Sequence, residues 1–374
     1  MGRNMLSVYI HVPFCKSKCP YCDFYSACPK DEDVLEQYTQ EVCMRIASYG
    51  EEYAHREVGT VYFGGGTPSV LGAKRLCRVL ASVKEAFSVH PEAEVTVECN
   101  PADVDTAFFA ELKNGGVNRI SMGMQSANAD ELHLLGRRHT AEDAKRAMQS
   151  AREAGIDNVS VDLMLALPDS DFEKLKKSID FCAELGADHV SAYILKIEPG
   201  TPFWEMADTL CLPDEDGAAD QYLSMVEKLH EHGYEQYEIS NFTKPGKESR
   251  HNLQYWRCEE YIGIGPAAHS FVGGKRFCFL RDLNGFLQGC EPQPDGEGGA
   301  FSEFAMLALR LAEGLQRNVC ARRFENGEKM YDEIFEKAKR LPKPLIKVSQ
   351  ERISLTAEGF LVSNTILSEI LPEE

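Results

Sequence analysis

The sequence predicts an α/β protein: a TIM-like parallel β/α barrel, complete or partial, followed by a small α-rich C-terminal domain with a winged-helix-like pair of strands. Three observations predict it. From residue 7 to about 240, short β-type runs alternate with helical runs, and repeated β-then-α units imply parallel strands with right-handed crossovers. The strand runs are short and apolar, which suits burial on both faces. Six or seven such units match the roughly 250 residues of a full barrel. An open doubly wound sheet is the runner-up, but no strand here runs into the G-x-G-x-x-G phosphate turn.

The elements follow in order. SVYIH (7–11) reads as the first strand, and residues 32–49 place Leu35, Tyr38, Val42 and Ile46 at helical spacing. TVYF (60–63) is a strand, with a helix near 72–87. EVTVEC (94–99) alternates, and a helix spans about 103–113. VNRISM (117–122) precedes a helical pattern across 128–154. NVSVDLML (158–165), a helix at 171–185, HVSAYIL (189–195), a helix at 214–232 and YEQYEIS (234–240) complete the series. Residues 1–240 are thus expected to form the barrel domain. Residues 241–300 are expected as a connector, ending in CEPQPDGEGGA (290–300), whose Pro, Gly and acid content reads as a linker. The C-terminal domain is expected over 301–374: mainly helical, with short strands in KPLIKVS and ERISL (343–355) and a last amphipathic helix in TAEGFLVSNTILSEIL.

Composition narrows the function. Among 374 residues, 43% are hydrophobic and 26% charged, which excludes wholesale disorder. The formal charge is −19, which argues against non-specific binding to nucleic acid or anionic lipid. No run approaches the roughly 20 apolar residues of a membrane span. The first fourteen residues are too short and interrupted for a signal peptide. A cytoplasmic protein is expected, with its 13 cysteines mostly thiols. Most are scattered singly among apolar residues, as Cys43, Cys77, Cys182, Cys258 and Cys320 are, and read as small core hydrophobes.

One group differs. YIHVPFCKSKCPYC sets Cys15, Cys19 and Cys22 at Cys-x3-Cys-x2-Cys, directly after the first strand. In a barrel, loops after strands lie on the catalytic face. Three thiolates in one loop can grip one compact metal site. A structural zinc site needs four ligands, for which His11 is the candidate fourth. Iron–sulfur clusters usually take four cysteines, so three leave one iron of a [4Fe–4S] cluster open to an exogenous ligand. Unrelated buried cysteines are the bland alternative, disfavoured by the tight polar loop.

The triplet on the first β/α loop resembles the radical S-adenosylmethionine superfamily. The resemblance implies a [4Fe–4S] cluster on Cys15, Cys19 and Cys22, with S-adenosylmethionine chelating the open iron and cleaved to a 5′-deoxyadenosyl radical. GGGTPS (64–69), after the second strand, lacks the Lys-Ser/Thr ending of a nucleotide-hydrolysing loop and could be a plain glycine turn. It resembles the superfamily's glycine motif, which implies that Gly65, Gly66 and Thr67 meet the methionine amino group. Glu98, Gln125, Arg137 and Asp162 stand at or just beyond strand ends. Each could be an ordinary loop residue; together they form a ligand-binding rim. The coproporphyrinogen-dehydrogenase-like branch carries the same residue types at matching places. By that resemblance Arg137 meets the cofactor carboxylate, and Tyr9 and Tyr21 lie near the cofactor.

HNLQYW (251–256) could be a packed segment with Trp256 in the core and His251 making a routine hydrogen bond. It could also be a haem site, His251 ligating iron and Tyr255 and Trp256 flanking a porphyrin. Lys244, Lys247, Arg250 or Arg257 would then meet the propionates. With YIGIGPAAHS (261–270) and LTAEGFLVSN, the segment resembles the haem-chaperone branch, whose members look like oxygen-independent coproporphyrinogen oxidases. Two departures separate the chain from the true oxidase pattern: Phe24 stands where that enzyme has an extra cysteine, and only eight residues precede Tyr9. Both favour haem binding and transfer over decarboxylation of coproporphyrinogen III. A radical methyltransferase of the same branch and a zinc-stabilised binding module are further alternatives. Haem, an electron-donor protein and haem-accepting proteins are the implied partners, with peripheral membrane association through an acceptor allowed.

Overall fold

A computed structural model describes residues 5–372. Six parallel strands follow one another in sheet order: β1 (Leu6–Val12), β2 (Glu57–Gly65), β3 (Ser88–Cys99), β4 (Arg119–Gln125), β5 (Val159–Leu165) and β6 (His189–Ile194). Between them run α1 (Glu32–Tyr53), α2 (Ala73–Ala86), α3 (Thr106–Gly115), α4 (Ala129–Leu134), α5 (Ala141–Glu153) and α6 (Phe172–Glu184). The outer face of the strands is apolar and packs on these helices through Val8, Ile10, Val61, Phe63, Ile120 and Val161. The inner face is equally buried but polar, with Ser7, Thr60, Thr96, Ser121, Ser160 and His189. The strands are therefore covered on both sides, as parallel strands must be, yet only one side is hydrophobic core.

The barrel is partial. The sheet stays open: four strands between residues 261 and 297 extend it beyond β1, and two between 235 and 243 extend it beyond β6. The 234–240 segment, expected as one more parallel strand, is instead the first arm of a tight hairpin. Its strands β7 (Glu235–Glu238) and β8 (Asn241–Thr243) pair antiparallel, and β8 pairs antiparallel with β6. Residues 241–300 are not a connector. They supply β9 (Tyr261–Ile264), parallel to β1, then β10 (His269–Val272), β11 (Lys275–Cys278) and β12 (Gln293–Glu297), all antiparallel. The expected linker at 290–300 thus contains an edge strand. From 301 the chain meets this sheet at an antiparallel Glu238–Leu311 bridge and forms helices around a small antiparallel sheet of β13 (Leu315–Gln316), β14 (Ile346–Val348) and β15 (Arg352–Leu355). The last two are the strands expected within 343–355. Among the described residues no helix is long and apolar enough to cross a membrane.

Candidate functional site

The loop after β1 carries the three cysteines, and its base is tied shut. Cys15 N donates to Ala27 O (3.0 Å) and Ala27 N to Pro13 O (2.9 Å). Three further contacts hold it from outside. Phe203 N donates to Pro20 O (3.0 Å), Arg281 Nη2 to Asp23 O (2.6 Å), and Leu283 N to Tyr25 Oη (2.8 Å). Within it, Cys22 N donates to Cys19 O (3.1 Å), closing a turn between the last two cysteines. All three cysteines are free and partly exposed. Burial pushes the Cys22 thiol up.

The loop covers a cavity of about 530 Å³ at the C-terminal ends of the strands. Of the expected residues, Cys15, Cys19, Cys22, Tyr21, Gly65, Gly66, Thr67, Glu98, Gln125, Arg137 and Asp162 all line it. Tyr9 does not. It lies deeper in the barrel, its hydroxyl on His11 Nδ1 (3.0 Å), and its ring beside Tyr62 and His251.

Each of these side chains is aimed by local backbone. The GGGT turn follows β2, where Gly66 N donates to Val12 O (2.8 Å) and Thr67 N to Phe14 O (2.7 Å). A Cβ on Gly66 would meet Phe14 O at 2.6 Å, so only glycine lets this turn lie against the cysteine loop. Thr67 Oγ1 stands 3.4 Å from Cys15 Sγ. The helical pattern expected across 128–154 breaks into α4 and α5 at Gly136, whose φ is +64°. Gly136 N donates to His133 O (3.0 Å) and Arg137 N to Leu132 O (2.9 Å), the left-handed ending that terminates a helix. That break turns Arg137 inward. Its Nη2 donates to Gly123 O (2.6 Å) and its Nη1 to Cys19 Sγ (3.6 Å), while its buried Nε has no partner.

Two carboxylates face this cation across the cavity. Glu98 accepts from Tyr62 Oη (2.8 Å), and burial followed by the nearby Asp162 charge raises it to about 7. Asp162 accepts from Ser121 Oγ (3.3 Å) and is also raised by burial. Sequence reasoning missed Asn100, Ser121, Met164, Tyr193, Lys196 and Glu198, which also line the cavity. Asn100 and Met164 lie two residues from a predicted position and Ser121 lies four, so period-two alternation could have found them. Tyr193 lies on β6, a strand that carries none of the predicted site residues.

HNLQYW lies at the opposite end of the barrel. It forms the helix Arg250–Trp256, capped by Glu94, which accepts from Arg250 N (3.1 Å) and His251 N (3.0 Å) near the start of the working part of β3. His251 is 1% exposed. Its Nδ1 bonds Thr60 Oγ1 (2.7 Å), its Nε2 bonds Tyr255 Oη (2.8 Å), and its ring stacks on Tyr62. Burial lowers its pKa to about 3, so it is neutral. The expectation of a haem-iron ligand at His251 is corrected here: both ring nitrogens are committed to the protein. Tyr255 packs edge-on against Tyr261, and Trp256 lines a separate cavity of about 240 Å³ facing Phe304 and Leu311. The proposed propionate partners are also engaged. Lys244 lies over Tyr234, Lys247 donates to Asp157 O (2.9 Å), Arg250 to Glu92 O (2.7 Å), and Arg257 pairs with Glu313 (3.1 Å). The bland reading of His251 holds.

Comparison with known proteins agrees with the cavity. A sequence model described as the Radical SAM superfamily matches residues 9–182. A protein of Lactococcus lactis named heme chaperone HemW is 33% identical, the match covering 98% of each chain. One of Escherichia coli with the same name is 39% identical, over 83% of this chain and 84% of that one. The chain belongs to the HemW family of radical S-adenosylmethionine proteins. The fold is similar to that of the Escherichia coli coproporphyrinogen III oxidase HemN, at TM-score 0.83 and 21% identity, covering 98% of this chain and 90% of that one.

Family membership implies a [4Fe–4S] cluster and S-adenosylmethionine, and the residues present fit both. Three free thiols on one tied loop are the donor set of a cluster with one open iron. Beside them lie a glycine turn packed against His11 and Phe14 and an arginine with an unpartnered buried Nε–H. A cation, two carboxylates and backbone groups are what a ligand with carboxylate, ammonium and ribose groups needs.

Proposed function

We propose that this chain is a cytoplasmic haem chaperone, which binds haem and passes it to acceptor proteins while holding a [4Fe–4S] cluster and S-adenosylmethionine in the barrel cavity. When bound, the cluster and S-adenosylmethionine supply one-electron chemistry at the sulfonium. Cys15, Cys19 and Cys22 would hold the cluster. Arg137 would orient the methionyl carboxylate with its free Nε–H, and the Gly65–Gly66–Thr67 turn would offer backbone groups to the ammonium. Glu98 and Asp162 would accept from ribose hydroxyls or the ammonium. The closed loop base and the buried polar floor would exclude bulk water from the sulfonium.

The observation that carries the haem reading is full-length similarity to proteins named haem chaperones, at 33% identity over 98% of the chain. Phe24 supports it. It stands where the oxidase pattern has a further cysteine, at the cavity rim, and is 67% exposed. An exposed aromatic there suits an apolar planar ligand better than a reacting thiol would. Haem would therefore be met at the rim, away from the HNLQYW helix. Oxidative decarboxylation of coproporphyrinogen III is the second reading, favoured by the HemN-like fold alone. The test is anaerobic reconstitution followed by parallel haem titration and coproporphyrinogen product analysis. Stoichiometric haem binding without vinyl products supports the chaperone; decarboxylation without retained haem rejects it.

A further inference from the structure

A second group of metal-ligating side chains lies on the antiparallel arm of the sheet. His269 on β10 and Cys278 on β11 are direct cross-strand partners, and Asp295 lies on β12, two residues beyond Gln293, the partner of Cys278. The β11–β12 register shifts between Lys275 and Phe277, so Asp295 falls in that irregularity, and its contact with His269 brings it to the face of His269 and Cys278. The outer two strands are about 9–10 Å apart, yet His269 Nδ1 and Asp295 Oδ2 meet at 3.0 Å above the middle strand. One donor atom from each of the three residues lies within 4.8 Å of the other two. His269 and Asp295 are 57% and 44% exposed, so an ion can reach them from solvent.

We propose that His269, Cys278 and Asp295 form a site for a divalent, borderline-soft transition metal of the zinc class, bridging β10, β11 and β12. The donors are an imidazole nitrogen, a thiolate sulfur and a carboxylate oxygen, the set that selects such ions over magnesium or calcium. Zinc–ligand lengths of about 2.0–2.3 Å require donor separations of roughly 3.3–3.7 Å. Side-chain rotation of about 1 Å brings the trio into that range, with water completing the tetrahedron. Charge balances: one thiolate and one carboxylate neutralise a dication, and the thiol proton leaves to solvent on binding. The neighbouring cation on this face, Arg276, is committed to Glu303 and lies over Phe271 (4.8 Å), so it does not compete.

An independent observation explains what such an ion would do. β12 reads QPDGE, is exposed at every position, and contains a proline and a glycine. Neither burial nor strand propensity holds it in the sheet. An ion shared by three strands would clamp this edge. It would also brace the segment just after Cys278, whose Arg281 and Leu283 hold the cysteine loop.

The experiment uses the cluster-loaded protein, stripped of loosely bound metal with a chelator and then titrated with Zn²⁺ against a competing fluorescent chelator. Iron, acid-labile sulfide and melting temperature in excess chelator are measured in parallel. Wild type is expected to take up one zinc per chain. Cys278→Ser and His269→Ala should each weaken it at least about tenfold, with unchanged iron and melting temperature. Zn²⁺ should slow amide exchange in 290–300 in wild type and not in Cys278→Ser. Equal zinc affinity in wild type and Cys278→Ser overturns the proposal. So does zinc uptake that survives Cys278→Ser but disappears in Cys15→Ala, which would assign the ion to the cysteine loop.

Discussion

Arg137→Ala is the most informative single change in the cavity. Arg137 is placed by the helix break at Gly136 and anchored through Gly123 O at 2.6 Å, with Nε free. Removing it deletes one charge-assisted bond to a carboxylate ligand, about 1.5–3 kcal/mol, and so weakens S-adenosylmethionine binding roughly ten- to hundred-fold. The anchoring bond is also lost. Gly123 is only half-buried and water can replace the guanidinium there, so folding should lose about 1 kcal/mol. Arg137→Lys should recover part of the binding, since it keeps the charge but not the planar fork. The assay is calorimetric titration of S-adenosylmethionine into anaerobically reconstituted protein, with iron content checked because Nη1 reaches Cys19 Sγ at 3.6 Å. Unchanged affinity at unchanged iron content would refute the placement of the ligand carboxylate against Arg137.

Further outcomes follow from the same geometry. Cys19→Ala should leave a loop that cannot hold four irons; iron per chain and visible absorbance after reconstitution check it. Gly66→Ala should push the GGGT turn off Phe14 O, which a Cβ meets at 2.6 Å, and lower both cluster loading and S-adenosylmethionine affinity, read by the same two assays. Glu98 is raised by burial to about 7 from a reference of 4.5, so between those pH values the folded protein keeps a proton that the unfolded chain has released. Its contribution to stability is then full below about 4.5 and is lost as pH rises through 7, whereas S-adenosylmethionine binding should strengthen over the same rise; Glu98→Gln should flatten both profiles. His251→Ala removes two buried hydrogen bonds and should cost about 2–4 kcal/mol by denaturant melts, while leaving the Soret position of bound haem unchanged.

The parallel core of the fold was legible because each of its strands is followed by a helix with its own apolar stripe. The direction of the 234–240 strand was not, since alternation is the same in parallel and antiparallel pairs. β12 leaves no apolar pattern in the sequence because nothing in it is buried. In the site, Cys15, Cys19, Cys22 and Glu98 were readable as residues that follow or end a strand, whereas Asp162 lies inside β5 and Arg137 follows the end of α4. His251 was misassigned because residue type alone does not show saturation. Its partners Thr60 and Glu94 lie more than 150 residues away in sequence, and only folding brings them to its ring and its backbone N–H.

Haem transfer tests most directly whether the cavity belongs to a haem carrier. The reconstituted protein would be loaded with one haem per chain and mixed anaerobically with an apo-haemoprotein acceptor, with and without S-adenosylmethionine. Haem should move to the acceptor at a rate above that from free haem, and Phe24→Ala should reduce loading while leaving iron–sulfur content intact. Transfer no faster than from free haem, together with conversion of coproporphyrinogen III to vinyl products by the same preparation, would contradict it.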